Sequence, residues 1–178
     1  MTIGAPERLS GTVRLSGYDP AWPAAYRRES ARIRAALPAR VLRLEHVGST
    51  SIPGLPAKPI IDIVLEVPDS SAEPAYASSL EAAGYVLRIR EPEWFEHRLF
   101  NSPDAEVNLH VFSDRCPETD RMVLFRDRLR SSTADRDLYA RSKQASASRR
   151  WAHVQQYADA KTEVITTILS RAHGAPGD

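Results

Sequence analysis

A chain of 178 residues with 42% hydrophobic and 26% charged residues is long enough to bury a sizeable core and is most simply one domain, which excludes a disordered, collagen-like or coiled-coil protein. The 24 Lys and Arg against 23 Asp and Glu leave a net charge of +1, so general nucleic-acid binding is not expected, although a local basic patch is compatible with that balance. One cysteine, Cys116, no signal-like amino-terminal run and no stretch near the roughly 20 apolar residues of a membrane span point to a soluble, cytoplasmic protein.

Residues 1–17 read as an arm, in which Leu9, Val13 and Leu15 are the basis for a short edge strand. Asp19-Pro20 reads as a cap with proline at the first helical position, and Trp22, Tyr26, Ile33 and Leu37 recur at helical spacing, which predicts an amphipathic helix ending at Pro38. A strand is expected over 41–47, then a loop stiffened by Pro53, Pro56 and Pro59, then a strand over 60–67 that is apolar on both faces and so central. Ser70 with Glu73 forms a capping-box pattern for a helix that turns Tyr76, Leu80 and Ala83 inward and stops at Gly84.

A further strand follows over 85–90. Segments 94–100 and 106–112, joined through Asn101-Ser102-Pro103-Asp104, predict an antiparallel hairpin. On its second arm Val107, Leu109 and Val111 share one face, and Glu106, Asn108, His110 and Phe112 share the other. Beyond 118 the chain reads as helical. Met122, Phe125 and Leu129 mark one helix, Leu138 and Tyr139 a second, and Trp151 to about Ala172 a third, in which Lys161 interrupts the stripe of Val154, Tyr157, Val164 and Ile168. The resulting boundaries are an arm over 1–17, one domain over 18–172 and a tail over 173–178.

The stretch built for chemistry lies between the first two strands. Gly48, Ser49, Thr50 and Ser51 offer a tight backbone, hydroxyls and amide groups of the kind that cradle phosphate, and Asp62 follows on an apolar strand where an unpartnered carboxylate is costly. That order suits nucleotidyl transfer, in which such a loop holds phosphate and strand carboxylates hold Mg²⁺ or Mn²⁺. Two turns and a locally bonded acid would account for the same residues. A two-metal site needs a second acid two residues on, where Val64 stands; Glu66 keeps the face of Asp62 but lies about 13 Å away at ~3.3 Å per residue.

Asn108 and His110 are the candidates to supply what Val64 does not, His110 as ligand or general base, against the alternative of a hydrogen-bonded sheet residue. Arg98 could clamp phosphate or pair with Glu96 or Glu106. Lys161 and Lys58 could each neutralise phosphate, or reach into water. His46, His97 and His153 fit no metal-ligand spacing with Cys116, and there is no Walker loop or dinucleotide fingerprint.

The run from His46 to Ile63 resembles the signature of the GrpB-like family, and Tyr18-Asp19-Pro20-Ala21-Trp22, Asn108-Leu109-His110-Val111, Phe125 to Arg130, and Tyr157 with Lys161 resemble its other segments. The resemblance implies an α+β fold of the nucleotidyltransferase superfamily, a mixed sheet flanked by helices with a helical carboxy-terminal part. It implies the fold more firmly than an activity; the leading expectation on that fold is an enzyme acting on a nucleotide or other phosphorylated small molecule, with Asp62 and His110 catalytic, Asp62 the metal ligand, and Gly48, Ser49, Thr50, Ser51, Lys58, Arg98 and Lys161 on the substrate. The alternative is a non-catalytic ligand-binding or accessory module linked to coenzyme A metabolism, since the family also occurs fused to dephospho-coenzyme A kinase.

Overall fold

Central β-branched strands and amphipathic helices combine here into a five-stranded mixed sheet with helices on both faces. The structure, a computed structural model, describes residues 15–102, 106–148 and 154–174, without the side chains of 147, 148 and 154–161. In chain order these give α1 (Trp22–Ala36), β1 (Arg43–Val47), a 3₁₀ turn (Ser49–Ser51), β2 (Ile61–Val67), a second 3₁₀ turn (Glu73–Ala75), α2 (Ala77–Ala82), β3 (Val86–Glu91), β4 (His97–Asn101), β5 (Val107–Ser113), α3 (Pro117–Ser131), α4 (Thr133–Ser148) and α5 (Val154–Gly174).

The sheet runs β1-β2-β5-β4-β3. Its middle pair, β2 and β5, is parallel, with Asp62 opposite Asn108 and Val64 opposite His110, while the other pairings are antiparallel. Because side chains alternate along a strand, Ile61, Ile63 and Leu65 lie on one face with Leu109, Val111 and Phe100. There α1 and α2 cover them through Ile33, Leu37, Tyr76 and Leu80, all at most 2% exposed. On the opposite face Val47, Val64 and Phe112 pack with Cys116, Met122 and Val123 under α3. Beside them the same face carries Asp62, Asn108 and His110. Helices α3, α4 and α5 close a third cluster of Leu129, Tyr139 and Ile168 on Ile52 and Leu55 of the loop before β2.

Several local expectations shift. Helix α1 begins two residues after Pro20, with the Asp19 carboxylate accepting the Ala21 N–H at 2.8 Å and Pro23 in the first turn. The expected edge strand reduces, among the described residues, to a bridge between Ser16 and Ala57; Leu9 and Val13 lie outside them. The Ser70–Glu73 capping box does not form. Ser70 donates to the Glu96 carbonyl and Glu73 meets Arg90 and Arg98 at 2.6 Å, so full charge pairing wins over a helix cap. Segment 94–96 is a turn rather than strand, with Phe95 and Glu96 at φ 55° and 52°, and α5 runs on to Gly174, two residues into the expected tail.

One carboxylate ties the three last helices together. Asp135 is 1% exposed, and accepts from Arg128 of α3 at 2.7 Å and Arg171 of α5 at 2.6 Å. Burial alone would raise its pKa, but the two guanidinium groups hold it below the usual carboxylate value. Asp135→Asn should lower stability by about 1–3 kcal/mol, less than for fully buried pairs because both arginines keep some contact with water. A denaturant midpoint unchanged in this variant would show that apolar packing alone holds the helices.

Candidate functional site

Asp62 sits near the start of β2 with its side chain 29% exposed. It is reached from three sides: by Asn108 on the neighbouring strand, by His110 two residues further along that strand, and by Gly48 at the end of β1. The Asn108 amide donates to Asp62 Oδ1 at 2.9 Å and takes a hydrogen bond from the Asn101 amide at 2.8 Å. His110 Nε2 lies 3.7 Å from the same Oδ1. Gly48 adopts φ +70°, and a Cβ there would stand 2.3 Å from Asp62 Oδ2. The glycine is therefore required twice over, by its left-handed backbone and by the carboxylate packed against it.

The loop does not present its hydroxyls as expected. Thr50, 1% exposed, donates to the Ile60 carbonyl at 3.1 Å, and Ser51, 5% exposed, donates to the Gly48 carbonyl at 2.6 Å. Both are spent on the shape of the loop, whose Ser51 carbonyl in turn receives Arg130 at 2.8 and 3.0 Å. Ser49 is half-buried and its hydroxyl has no hydrogen-bond partner among the described residues. Lys58 is exposed and likewise unpaired among them.

Arg98 is not brought to Asp62. It stands opposite Val111, hence on the core face, and is 5% exposed between Glu73 at 2.6 Å and Glu96 at 3.2 Å. The pairing with Glu96 weighed from the sequence is the one the fold makes, with Glu73 added. The side chain of Lys161 lies outside the described residues.

In place of Arg98 the fold brings two residues that spacing alone passed over. His97 Nδ1 lies 2.7 Å from the Glu91 carboxylate, and its Nε2 lies 3.1 Å from His110 Nδ1. His97 is 2% exposed, its ring stacked between His110 and Phe112 and edge-on to Trp94. Burial first, and the neighbouring His110 second, push its pKa down to about 4, against the pull of Glu91. The ring is therefore neutral at neutral pH. A carboxylate can only accept, so Nδ1 of His97 carries the proton, its Nε2 is a lone pair, and His110 Nδ1 donates to it. With a single proton on the His110 ring, this arrangement puts it on Nδ1 and leaves Nε2 as a lone pair toward Asp62. Parity along the hairpin held this signal: Arg98 on the core face puts His97 and Asn101 on the face of His110.

The Mg²⁺ or Mn²⁺ expected at Asp62 meets a sparse donor set. Among the described residues no group of three or more His, Cys, Asp or Glu could hold a metal. Val64 is fully buried, and Glu66, 3% exposed, accepts the Cys116 N–H at 3.2 Å. These residues fit one ion brought in with a phosphate, for which one carboxylate suffices, and do not fit a two-metal pair.

Comparisons with known proteins bear on the whole chain. The family model described as GrpB protein matches residues 12–171. A UPF0157 protein of Halalkalibacterium halodurans is 52% identical over 97% of this chain and 89% of its own length, and one of Streptomyces coelicolor is 46% identical over 97% and 90%. A dephospho-CoA kinase of Mycolicibacterium paratuberculosis is 31% identical over 90% of this chain but only 46% of its own length. The crystal structure of the conserved protein GrpB from Enterococcus faecalis superposes with a TM-score of 0.77 at 28% identity, covering 89% of this chain and 96% of the other.

Two outcomes follow from this geometry. Gly48→Ala should cost about 1–3 kcal/mol through its left-handed backbone and the contact with Asp62, read as a lowered thermal midpoint; an unchanged midpoint would mean that the loop moves freely off the carboxylate. The second concerns pH. His46, 6% exposed, is also pushed down to about 4, chiefly by burial, so between the ordinary histidine value of 6.5 and about 4 the unfolded chain binds more protons than the folded one. Stability is complete above that window and falls as pH drops through it, by about 1–2 kcal/mol per histidine between pH 7 and 5. Denaturant titrations should show this slope, flatter in His46→Gln and in His97→Gln; equal slopes in all three proteins would contradict the buried neutral rings.

Proposed function

The chain belongs to the GrpB family, and on that premise we propose that it is an enzyme acting on a nucleotide or other phosphorylated small molecule, with His110 as general base beside Asp62. The observation that carries this reading is the hydrogen-bonded line from Glu91 through His97 to His110, which leaves a basic nitrogen facing a half-exposed carboxylate. A sheet histidine with only a structural role does not need a buried imidazole, itself held by a carboxylate, to fix its tautomer.

In this reading a substrate hydroxyl or water lies within hydrogen-bond reach of both Asp62 and His110. His110 Nε2 takes its proton as the oxygen forms a bond to phosphorus. The opposite P–O bond breaks, and its electron pair leaves with the departing oxygen. Imidazolium at His110 is then stabilised by Asp62, while neutral His97 keeps the ring aimed. Asn108, fixed by Asn101, holds Asp62 Oδ1 in place. Mg²⁺ or Mn²⁺ bound at Asp62 would neutralise phosphate charge. Ser49 and Lys58, both free of partners among the described residues, remain as phosphate contacts.

Val64 supports a second reading, a ligand-binding module, because it is fully buried under α3 where two-metal transfer needs an acid. The name of the mycobacterial relative makes dephospho-coenzyme A a reasonable probe for either.

Incubating the protein and Mg²⁺ or Mn²⁺ with nucleoside triphosphates, dephospho-coenzyme A and simple phosphate esters, followed by phosphorus NMR, separates the two. Turnover should fall roughly 10²–10⁴-fold in His110→Ala and less in His97→Gln, with the fold intact by circular dichroism. Turnover indifferent to His110 would remove the general-base role. Ligand binding without turnover in the wild type would favour the module.

A further inference from the structure

Beside the Gly48–Ser51 turn, at the β1 edge of the sheet, lies a cavity of about 390 Å³ lined by residues of α1, β1, the turn and α3. Asp62 and His110 do not line it. Its volume is at the lower end of the range that small-molecule sites occupy. Three guanidinium groups, of Arg27, Arg126 and Arg130, and one carboxylate, of Glu45, face it.

The three arginines differ in how far their charge is met. Arg126 is saturated: it bonds Glu45 at 2.7 Å, Asp127 at 2.7 and 3.2 Å, and the His46 carbonyl at 3.1 Å. Arg130 is not. Its Nε and one terminal nitrogen converge on the single Ser51 carbonyl, and the other terminal nitrogen lies 3.7 Å from Asp127, beyond hydrogen-bond reach. Burial, and then the adjacent Arg126, lower its pKa, in contrast to Arg126 itself, whose acid partners raise it. Arg27 is exposed with no partner among the described residues. Arg130, exposed beside another cation with donors that no described residue meets and a cavity in front of it, is a ready contact for an anion.

The walls supply the rest. Tyr18 and Tyr26 line the cavity with Pro23. Tyr18 stands edge-on to Trp22 at 5.4 Å, and Tyr26 is stacked on His46 at 4.8 Å and tied by its hydroxyl to the Leu44 carbonyl at 3.1 Å. Rings fixed in this way offer flat apolar contact at little cost in conformational entropy. His46, held neutral by burial, adds no charge of its own.

We propose that this cavity binds a small anion carrying a flat ring, with its phosphate or carboxylate on Arg27 and Arg130 and its ring among Tyr18, Tyr26 and Pro23. The site is separate from Asp62 and His110 and does not depend on the chemistry proposed for them. It adjoins that face through the turn, whose Ser51 lines the cavity while Gly48 abuts Asp62, and through Glu45, which stands opposite Val64.

Isothermal titration with adenosine 5′-monophosphate, nicotinate, inorganic phosphate and adenosine tests this. One or both of the ring-bearing anions should bind more tightly than inorganic phosphate or adenosine, and which of the two binds distinguishes phosphate from carboxylate. Arg27→Gln and Arg130→Gln should each weaken that binding about tenfold, the weight of one charge-assisted hydrogen bond, whereas His110→Ala should leave it unchanged. Arg27 is exposed and has no partner among the described residues, so its variant remains informative even if Arg130→Gln disturbs the turn. Binding lost in His110→Ala but kept in both arginine variants would place the ligand at Asp62 and overturn this proposal without touching the earlier one. Absence of binding by either ring-bearing anion at millimolar concentration would overturn it outright.

Discussion

The close approach of Gly48 to the Asp62 carboxylate is the constraint on which the loop and the polar face of the sheet depend. It sets the end of β1 against the start of β2, and it forces a left-handed backbone at residue 48. From there the chain enters the turn in which Ser51 closes on the Gly48 carbonyl and Thr50 on Ile60. Arg130 locks the outside of that turn through Ser51, and Arg126 locks the preceding strand through Glu45 and His46. The acid is held on one side by a glycine that leaves it room and on the other by an amide that points it. A charge on a central strand is tolerable on those terms.

Around that carboxylate one sheet face carries two kinds of side chain. Where α3 lies down, Val64, Phe112 and Cys116 make an ordinary apolar layer, and the acid that a two-metal site would need has been replaced by packing. Beside that layer, polar side chains fill the same face. They are ordered by a sequence of donors and acceptors that begins at Glu91 and in which every tautomer follows from the one before. Aromatic burial of His97 keeps that order robust, because a protonated His97 could no longer accept from His110.

Much of this was legible in the sequence. Apolar runs and turn residues placed the central strand, the hairpin and the three last helices, and strand parity correctly set Asn108 and His110 on one face. Their position beside Asp62 needed only that β2 and β5 be neighbours. What misled was chemistry assigned residue by residue. Arg98 looked like a cleft cation, yet parity had already placed it with Phe100 in the core, where Glu73 waits. The hydroxyls of residues 50 and 51 looked like phosphate donors, yet a turn that tight needs them for its own carbonyls. His97 was passed over because a ligand spacing was sought along the chain, whereas its partners are a strand away. Glu73 was read as a local cap because its true partners, Arg90 and Arg98, are distant in sequence.

The parallel pairing at the centre of the sheet has a kinetic consequence. Asp62 and Asn108 are 46 residues apart, and the segment between them contains α2, β3 and β4, all of which must be routed before β5 can dock on β2. Closing so long a loop is entropically unfavourable until many contacts reward it at once, and non-local parallel pairing of this kind is slow. The polar face is therefore assembled by the same event that joins the two halves of the sheet. Until that event occurs, Asp62 has neither its amide nor its imidazole, and the nascent chain carries the signature loop without a site.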